Sequence, residues 1–475
     1  MEYLTYEQFG AAGDGHTDDM PAIVRTHEEA NRRGIPVRGR EGAVYYIAPA
    51  AVVAVIRTDT DWTGASFVID DRDLDDFRPP VFDVPPEEEA VPFPVAALKA
   101  GQDFVENPTS REQFVRVYND EHRDYIRLGA NQDNGHSRTD AFLVGPDGRL
   151  PSPVSFDFDK ITRSYASPIP EKRLTIRGGA FTTIANRWES RYDYHGRNIR
   201  IRRSNTEIAE ISHYVEGEED HGAPYAGFLS ISDCARVEVR DCLFTGHRIY
   251  WTIGSAGVPV PMGSYDINCG TAAALTFRHC RQTTDIMDRN YWGLIGTNFC
   301  RDLCFDDVVF SRFDAHMGVS NCTITNSRLG WQCLNAIGFG TFRIENTEAY
   351  GHAFVTLRPD YGCTFRGRFE IKNCVWHPAG GGRTVFSAHN DGTHDFGYPC
   401  YLPEEVMIDG FTVAEDGESP GPLWIFNDWT GKPEGEVKYP MAEPLRVEVK
   451  NVRGIGEIGL CQNPGLMRNT VFVRG

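Results

Sequence analysis

The segments LTFRHC (275–280), LCFDDV (303–308), CTITNS (322–327) and FRIENT (342–347) share one pattern. Each holds an apolar–x–apolar pair and then a polar residue, often Asn or Asp. The second apolar residue serves as a marker: Phe277, Phe305, Ile324 and Ile344, at steps of 28, 19 and 20 residues. The pattern recurs as VEVRDC (marker Val239), FEIKNC (Ile371), VMIDGF (Ile408) and VEVKNV (Val449), and more weakly as LTIRGG (Ile176) and IRIRRS (Ile201). Alternation with period two makes each phrase a strand with one face inward. The closing Asn, Asp or Gly supplies a turn. A strand recurring at a period near 20, lengthened where loops are inserted, signals a solenoid. An all-β sandwich spaces its strands at roughly 8–12 residues, too short a period here. The chain therefore reads as an all-β, single-chain parallel β-helix.

The composition fits an ordered, turn-rich protein. Of 475 residues, 41% are apolar, and there are 47 Gly and 28 Pro. The formal charge of −19 argues against a nucleic-acid backbone or an anionic membrane as partner. The longest apolar run, Ala48–Ile56, is too short to span a bilayer and contains Pro49. No basic and apolar leader pattern opens the chain, so a cytoplasmic location is expected if the N-terminus is native. An extracellular or periplasmic one is expected if the chain is a trimmed mature form. Twelve Cys occur, none before Cys234, without metal-ligand spacing. Cys242, Cys280 and Cys374 share one place in the repeat and read as small apolar residues stacked inside the coil.

Residues 1–71 read as an N-terminal cap with the first coils, 72–170 as an insertion packed on the solenoid, and 171–475 as the β-helix body with long loops. The cap contains a helix started by Asp18 or Thr17, with Met20, Ile23, Val24, His27 and Ala30 on one face and Gly34 at its end. Within it, Phe9–Gly10–Ala11, Gly13–Asp14–Gly15, Thr17–Asp18–Asp19 and Ala22–Ile23 resemble the N-terminal signature of the pectate-lyase-like superfamily. Its members include glycoside hydrolases, polysaccharide lyases and tailspikes. The resemblance implies a right-handed parallel β-helix whose open end this helix plugs. It is nearly silent on the reaction. The following segment REGAVYYI (40–47) departs from the usual Pro-Gly-Thr-Tyr-like turn.

The compact coils carry the strongest chemical constellation. Counted from the markers, Asp285 lies at +8, Asp314 at +9 and His352 at +8, while Asp288, His316 and Asn335 lie at +11. Coils stack about 4.8 Å apart, so equal offsets predict one column. Asp285, Asp288, Asp314, His316 and His352 are accordingly the candidate catalytic residues. Arg289, Trp292, Trp331, Asn335 and Arg358 are candidate substrate contacts. The plainer reading makes the Asp and Asn residues turn formers, and Asp306 and Asp307 fit that reading best. A second candidate is the pair of loops carrying His213, Glu216, Glu218, Glu219, Asp220 and His221, and His389, Asp391, His394 and Asp395.

Paired carboxylates at roughly 5–5.5 or 6.5–9.5 Å would serve a glycoside hydrolase acting on a plant or microbial oligo- or polysaccharide. That is the leading expectation, with no cofactor or metal. The alternative is a polysaccharide lyase cleaving a uronate-containing glycan by β-elimination, with Arg or Ca²⁺ neutralising the carboxylate. No Lys lies between Lys172 and Lys372, so the base there would be His or Arg. A third reading is a non-catalytic glycan-binding β-helix. The oligomeric state is open, and a homo-oligomer is compatible with the sequence.

Overall fold

In the computed structural model, all residues are described except 1, 74–77, 127–133, 190–193, 220–221, 255–256, 359–364, 381–382, 389–399, 415–420, 429–440 and 464. Of the candidate residues, Asp220, His221, His389, Asp391, His394 and Asp395 fall outside the described residues. The repeat phrases stack in parallel register. One ladder runs Ile176, Ile208, Val239, Phe277, Phe305, Ile324, Ile344, Ile371, Ile408 and Val449. These markers point inward and are buried. Phe277 and Phe305 stack at 5.1 Å between ring centroids. The solenoid is one sheet of 32 strands among the described residues. Ile201 is not in this ladder: its strand, Ile199–Ile201, pairs with Phe82–Val84 and Leu229–Ser232 on another face. Ile208 is a further rung of this ladder, hidden in the sequence because Thr206 replaces the first apolar residue and Glu210 stands where most other coils carry Asn, Asp or Gly.

The turn residues explain the bend after each phrase. Asp241, Asp307, Asn326, Asn346, Asn373 and Asn451 all have φ between 51° and 55°, and Gly410 has φ 73°. Short polar side chains tolerate this left-handed backbone best, and glycine carries no Cβ to clash there. Asp307 is thus a turn residue. Cys242, Cys280 and Cys374 follow the turn, buried, each donating its thiol to a carbonyl of the coil below. No disulfide links the described cysteines.

A helix, α1 (Met20–Arg33), covers the N-terminal end and buries Met20, Ala22, Ile23, Thr26, His27 and Ala30. Its N-cap is Asp19 rather than Asp18 or Thr17. The Asp19 carboxylate instead ties the glycine-rich entry to the first coils, accepting from Ala12, Gly13 and Tyr46 backbone N–H groups. His27 shares a 2.9 Å hydrogen bond with Tyr6, whose hydroxyl accepts from Trp62. Between the early coils and the body, a four-stranded antiparallel sheet is built from Val91–Pro92, Gln113–Asp124, His136–Val144 and Arg163–Pro168. One of its faces meets Ala235 and Ala273 of the solenoid. The other belongs to a cluster with Met317, Ile337 and Phe339. A buried Arg301–Asp140 ion pair at 2.7 Å joins the two bodies.

Candidate functional site

The site grows from a second ladder, on another face. Its inward row is Leu229, Ile267, Ile295, Phe313, Leu334 and Val355. In a strand the next residue faces outward. The outward row is therefore Ser230, Asn268, Gly296, Asp314, Asn335 and Thr356. Large side chains are laid over this row, and two glycines make room for them. A Cβ on Gly296 would sit 2.7 Å from the Tyr265 ring, and one on Gly263 would sit 2.3 Å from Trp292. Tyr265 and Trp292 so pack at 6.3 Å, and the Arg312 guanidinium lies 4.8 Å from the Trp292 ring centroid and 5.6 Å from that of Tyr265.

Asp314 lies beneath them, fully buried although it faces outward. Its Oδ2 accepts from the Tyr265 hydroxyl, from Arg312 at 2.8 Å and from Arg358 at 2.8 Å. Its Oδ1 has no partner among the described residues. Burial alone would raise the carboxyl's pKa, but the Arg312 and Arg358 charges win and hold it below the usual carboxylate range. One buried carboxylate is thus held by two guanidiniums. Burial raises the Tyr265 phenol, with Arg312 opposing and the Asp314 charge adding.

Above this cluster opens a cavity of about 290 Å³, lined by Tyr194, Tyr225, Ala226, Gly227, Met262, Gly263, Tyr265, Asn268, Trp292, Gly296, Asn298, His316 and Arg358. Among the described residues no Asp or Glu is in that lining. His316 reaches it from the outward bulge where register shifts between Ala315 and Val319, and its Nδ1 lies 2.7 Å from Asn298 Oδ1. A second cavity, of about 210 Å³, opens farther along the row between Arg312, Trp331, Gln332, Asn335, His352, Ala353 and Thr356.

A buried relay holds the first cavity's frame. Asp266, next to Tyr265 in the chain, takes His213 at 2.8 Å and His247 at 3.1 Å, and accepts from Thr245 N–H. His247 also meets Glu218 at 2.9 Å, while its carbonyl accepts from Trp292 N–H. Burial would lower His247, but Glu218 and Asp266 push it up to about 10. Burial likewise opposes ionisation of Asp266, yet the two imidazoles hold it below the usual range. His213 stacks on Phe228 at 3.7 Å. On the cavity's other side the Tyr225 hydroxyl donates to Asp71, whose carboxyl burial pushes up to about 6 against the pull of Arg197.

The sequence-derived residues divide clearly. Asp314, His316, Trp292 and Arg358 meet at the first cavity; Trp331, Asn335 and His352 meet at the second. Asp285 does not stack on Asp314. The neighbours of Asp314 in the row are Gly296 and Asn335. Asp285 and Asp288 cap a turn instead, accepting from Met287 and Asn290 N–H groups, and Arg289 is exposed on the same turn. Offsets from the marker fail here because the coil between Phe277 and Phe305 carries extra residues. Those residues bulge out as that turn before the chain re-enters at Ile295–Asn298. Among the described residues no two carboxylates therefore face each other at the cavity. Tyr265, Asp266, His247 and Arg312 were missed. Tyr265 and Asp266 lie in a loop between phrases, and nothing in spacing distinguishes them. Of the loop candidates, His213 and Glu218 join the relay, buried rather than solvated. Among the described residues no group of three or more His, Cys, Asp or Glu converges as metal ligands.

No protein-family model matches the chain, and no curated protein does. Solved structures do. The tailspike gp61 of Pseudomonas phage phi297 superposes with a TM-score of 0.53 and 13% identity, over 95% of this chain and 80% of that one. The tailspike gp49 of Pseudomonas phage LKA1 gives 0.51 and 12%, over 96% and 83%. The gp54 tailspike of Acinetobacter baumannii bacteriophage AP22, solved with a capsular saccharide, gives 0.51 and 10%, over 99% and 79%. The chain has the right-handed parallel β-helix fold.

Proposed function

We propose that the chain acts on a carbohydrate, and that it is a polysaccharide lyase cleaving a uronate-containing glycan by β-elimination in the cavity beside Tyr265. The carrying observation is the makeup of that cavity. Among the described residues its lining presents Arg358, Asn298, His316 and Tyr265 and no carboxylate, and beneath it Arg312 and Arg358 converge on Asp314. Carboxylate-pair glycoside hydrolysis needs two acids flanking the bond. Elimination needs a cation for the sugar carboxylate, a base and a proton donor.

Arg358 and Asn298 receive the uronate carboxylate. His316 removes the proton from C5, the electron pair forms the C4=C5 double bond, and the C4–O bond breaks. Tyr265, kept protonated at neutral pH by its buried setting, turns its proton from Asp314 to the leaving oxygen. The resulting phenolate lies beside Arg312 and Arg358, which stabilise it. Proton return from His316 through solvent resets the pair. Trp292 offers its ring to a sugar face. Should Ca²⁺ assist carboxylate neutralisation, a chelator will remove activity and Ca²⁺ will restore it.

The test is incubation with polygalacturonate, alginate and acidic capsular polysaccharides, read by the ultraviolet absorbance of the unsaturated uronate and by new reducing ends. Unsaturated product is expected, reduced by ~10²–10⁴-fold in Tyr265→Phe and in His316→Ala. New reducing ends without unsaturation would replace this reading with a hydrolase. Binding without cleavage would replace it with a glycan-binding protein.

A further inference from the structure

We infer that the cavity of about 210 Å³ beside Trp331 is a second sugar subsite, which takes the adjoining acidic sugar of the same chain. The inference rests on the elimination reading for the first cavity and extends it from one uronate to a run of acidic sugars. Both cavities open on the outward row. Asn268 and Gly296 line the first, Asn335 and Thr356 line the second, and Asp314 lies between them. The row from Asn268 to Thr356 covers four coil steps, about 19 Å at ~4.8 Å each. A glycan lying along the solenoid axis follows this row.

Arg312 is the wall between the two cavities. One of its guanidinium nitrogens donates to Asp314, and another donates to Gln332 at 2.8 Å. The second cavity thus holds Arg312 and, among the described residues, no carboxylate in its lining. That charge suits an anion. Trp331 supplies a flat apolar face, and its indole Nε1 is a buried donor with no partner among the described residues. Gln332 and Asn335 supply donors and acceptors for hydroxyls. A flat ring beside convergent polar groups and a cation is the composition of a sugar subsite.

The experiment measures kcat/KM over a ladder of oligogalacturonates and oligomannuronates, from the disaccharide upward, for the wild type, Trp331→Ala and Trp331→Phe. The wild type is expected to gain about tenfold once the oligomer is long enough to reach Trp331, equivalent to ~1.4 kcal/mol. Trp331→Ala flattens that gain, and Trp331→Phe, which keeps a ring, restores most of it. A flat wild-type profile, or an undiminished gain in Trp331→Ala, overturns the subsite while leaving elimination at the first cavity standing. If no oligomer yields unsaturated product, the elimination reading falls. Calorimetric binding of the same ladder then decides the subsite: affinity that rises with length and is lost in Trp331→Ala upholds it, and length-independent affinity overturns it.

Discussion

Replacing Asp314 with Asn keeps the shape and removes one charge. The consequence follows from the burial of its partners. Arg312 has 7% of its side chain exposed and Arg358 18%, while Asp314 has none. Arg312 meets water only where it borders the second cavity, and Arg358 somewhat more, so neither regains the lost carboxylate in full. Breaking a buried ion pair on one side costs about 3–5 kcal/mol. The Asn oxygen still accepts one donor, so the lower end, about 3 kcal/mol, is expected. At about 1–2 °C per kcal/mol for a chain this long, the melting temperature falls by roughly 3–6 °C.

The acid limb supplies an independent check. The Asp314 pKa is lowered in the fold, so its contribution is fully present above the unfolded value, near 3.9. It is lost as pH falls through the lower folded value. Asp314→Asn should therefore show a shallower loss of stability below about pH 4 than the wild type. Thermal unfolding followed by circular dichroism across pH reads both effects. An unchanged melting temperature together with an unchanged acid limb would refute the ion-pair account of this residue.

Asp285→Asn and Asp288→Asn each weaken an exposed turn, so stability should change by less than about 1 kcal/mol and turnover by less than about twofold. A loss of activity as large as that of Tyr265→Phe would return these residues to the site. Gly296→Ala should cost about 1–3 kcal/mol and lower kcat as the new methyl displaces the Tyr265 ring; full activity would show that the phenol's position is immaterial. His247 has a folded pKa raised to about 10, so its contribution is present below the unfolded value of about 6.5 and is lost as pH climbs toward about 10. Melting temperature should decline across that window, and less steeply in His247→Gln; parallel slopes would show that His247 carries no such linkage.

The fold was legible because the solenoid repeats its own grammar. Alternation placed Phe277, Phe305, Ile324 and Ile344 inside, and the residue after each pair, such as Asn326 or Asn346, had to accept a left-handed backbone. Ile208 escaped notice because Glu210 fills that turn, and Ile201 entered wrongly because alternation is the same on every face. The site was legible only where coils are compact. Even there, counting set Asn335 at +11 beside His316, whereas it stacks on Asp314 at +9, because the register shifts by two residues between Phe310 and Arg312. Asp285 was misplaced because its coil bulges, and counting along the chain ignores where a strand resumes. Tyr265 and Asp266 could not be found by counting at all. They are brought to the cavity by the hairpin Tyr250–Ile253 with Pro259–Met262, whose length belongs to no repeat. Their roles come from neighbours distant in sequence: Asp314 for Tyr265, and His213 and His247 for Asp266.

The inserted antiparallel sheet acts as a strap across the middle of the stack. In an array where each coil touches only its neighbours, unravelling starts at the ends and runs inward. The strap ties rungs far apart: Arg116 holds Asp233, Asp140 holds Arg301, and Phe156 packs on Phe339 at 4.1 Å. The rungs between Asp233 and Phe339 carry most of both cavities. They are thereby welded into one cooperative block, to be read as a single plateau of slow amide exchange flanked by faster coils. The terminal coils can fray without loosening the groove. The molecule then tolerates heat or mechanical pull at its ends while the segment that carries both cavities stays rigid.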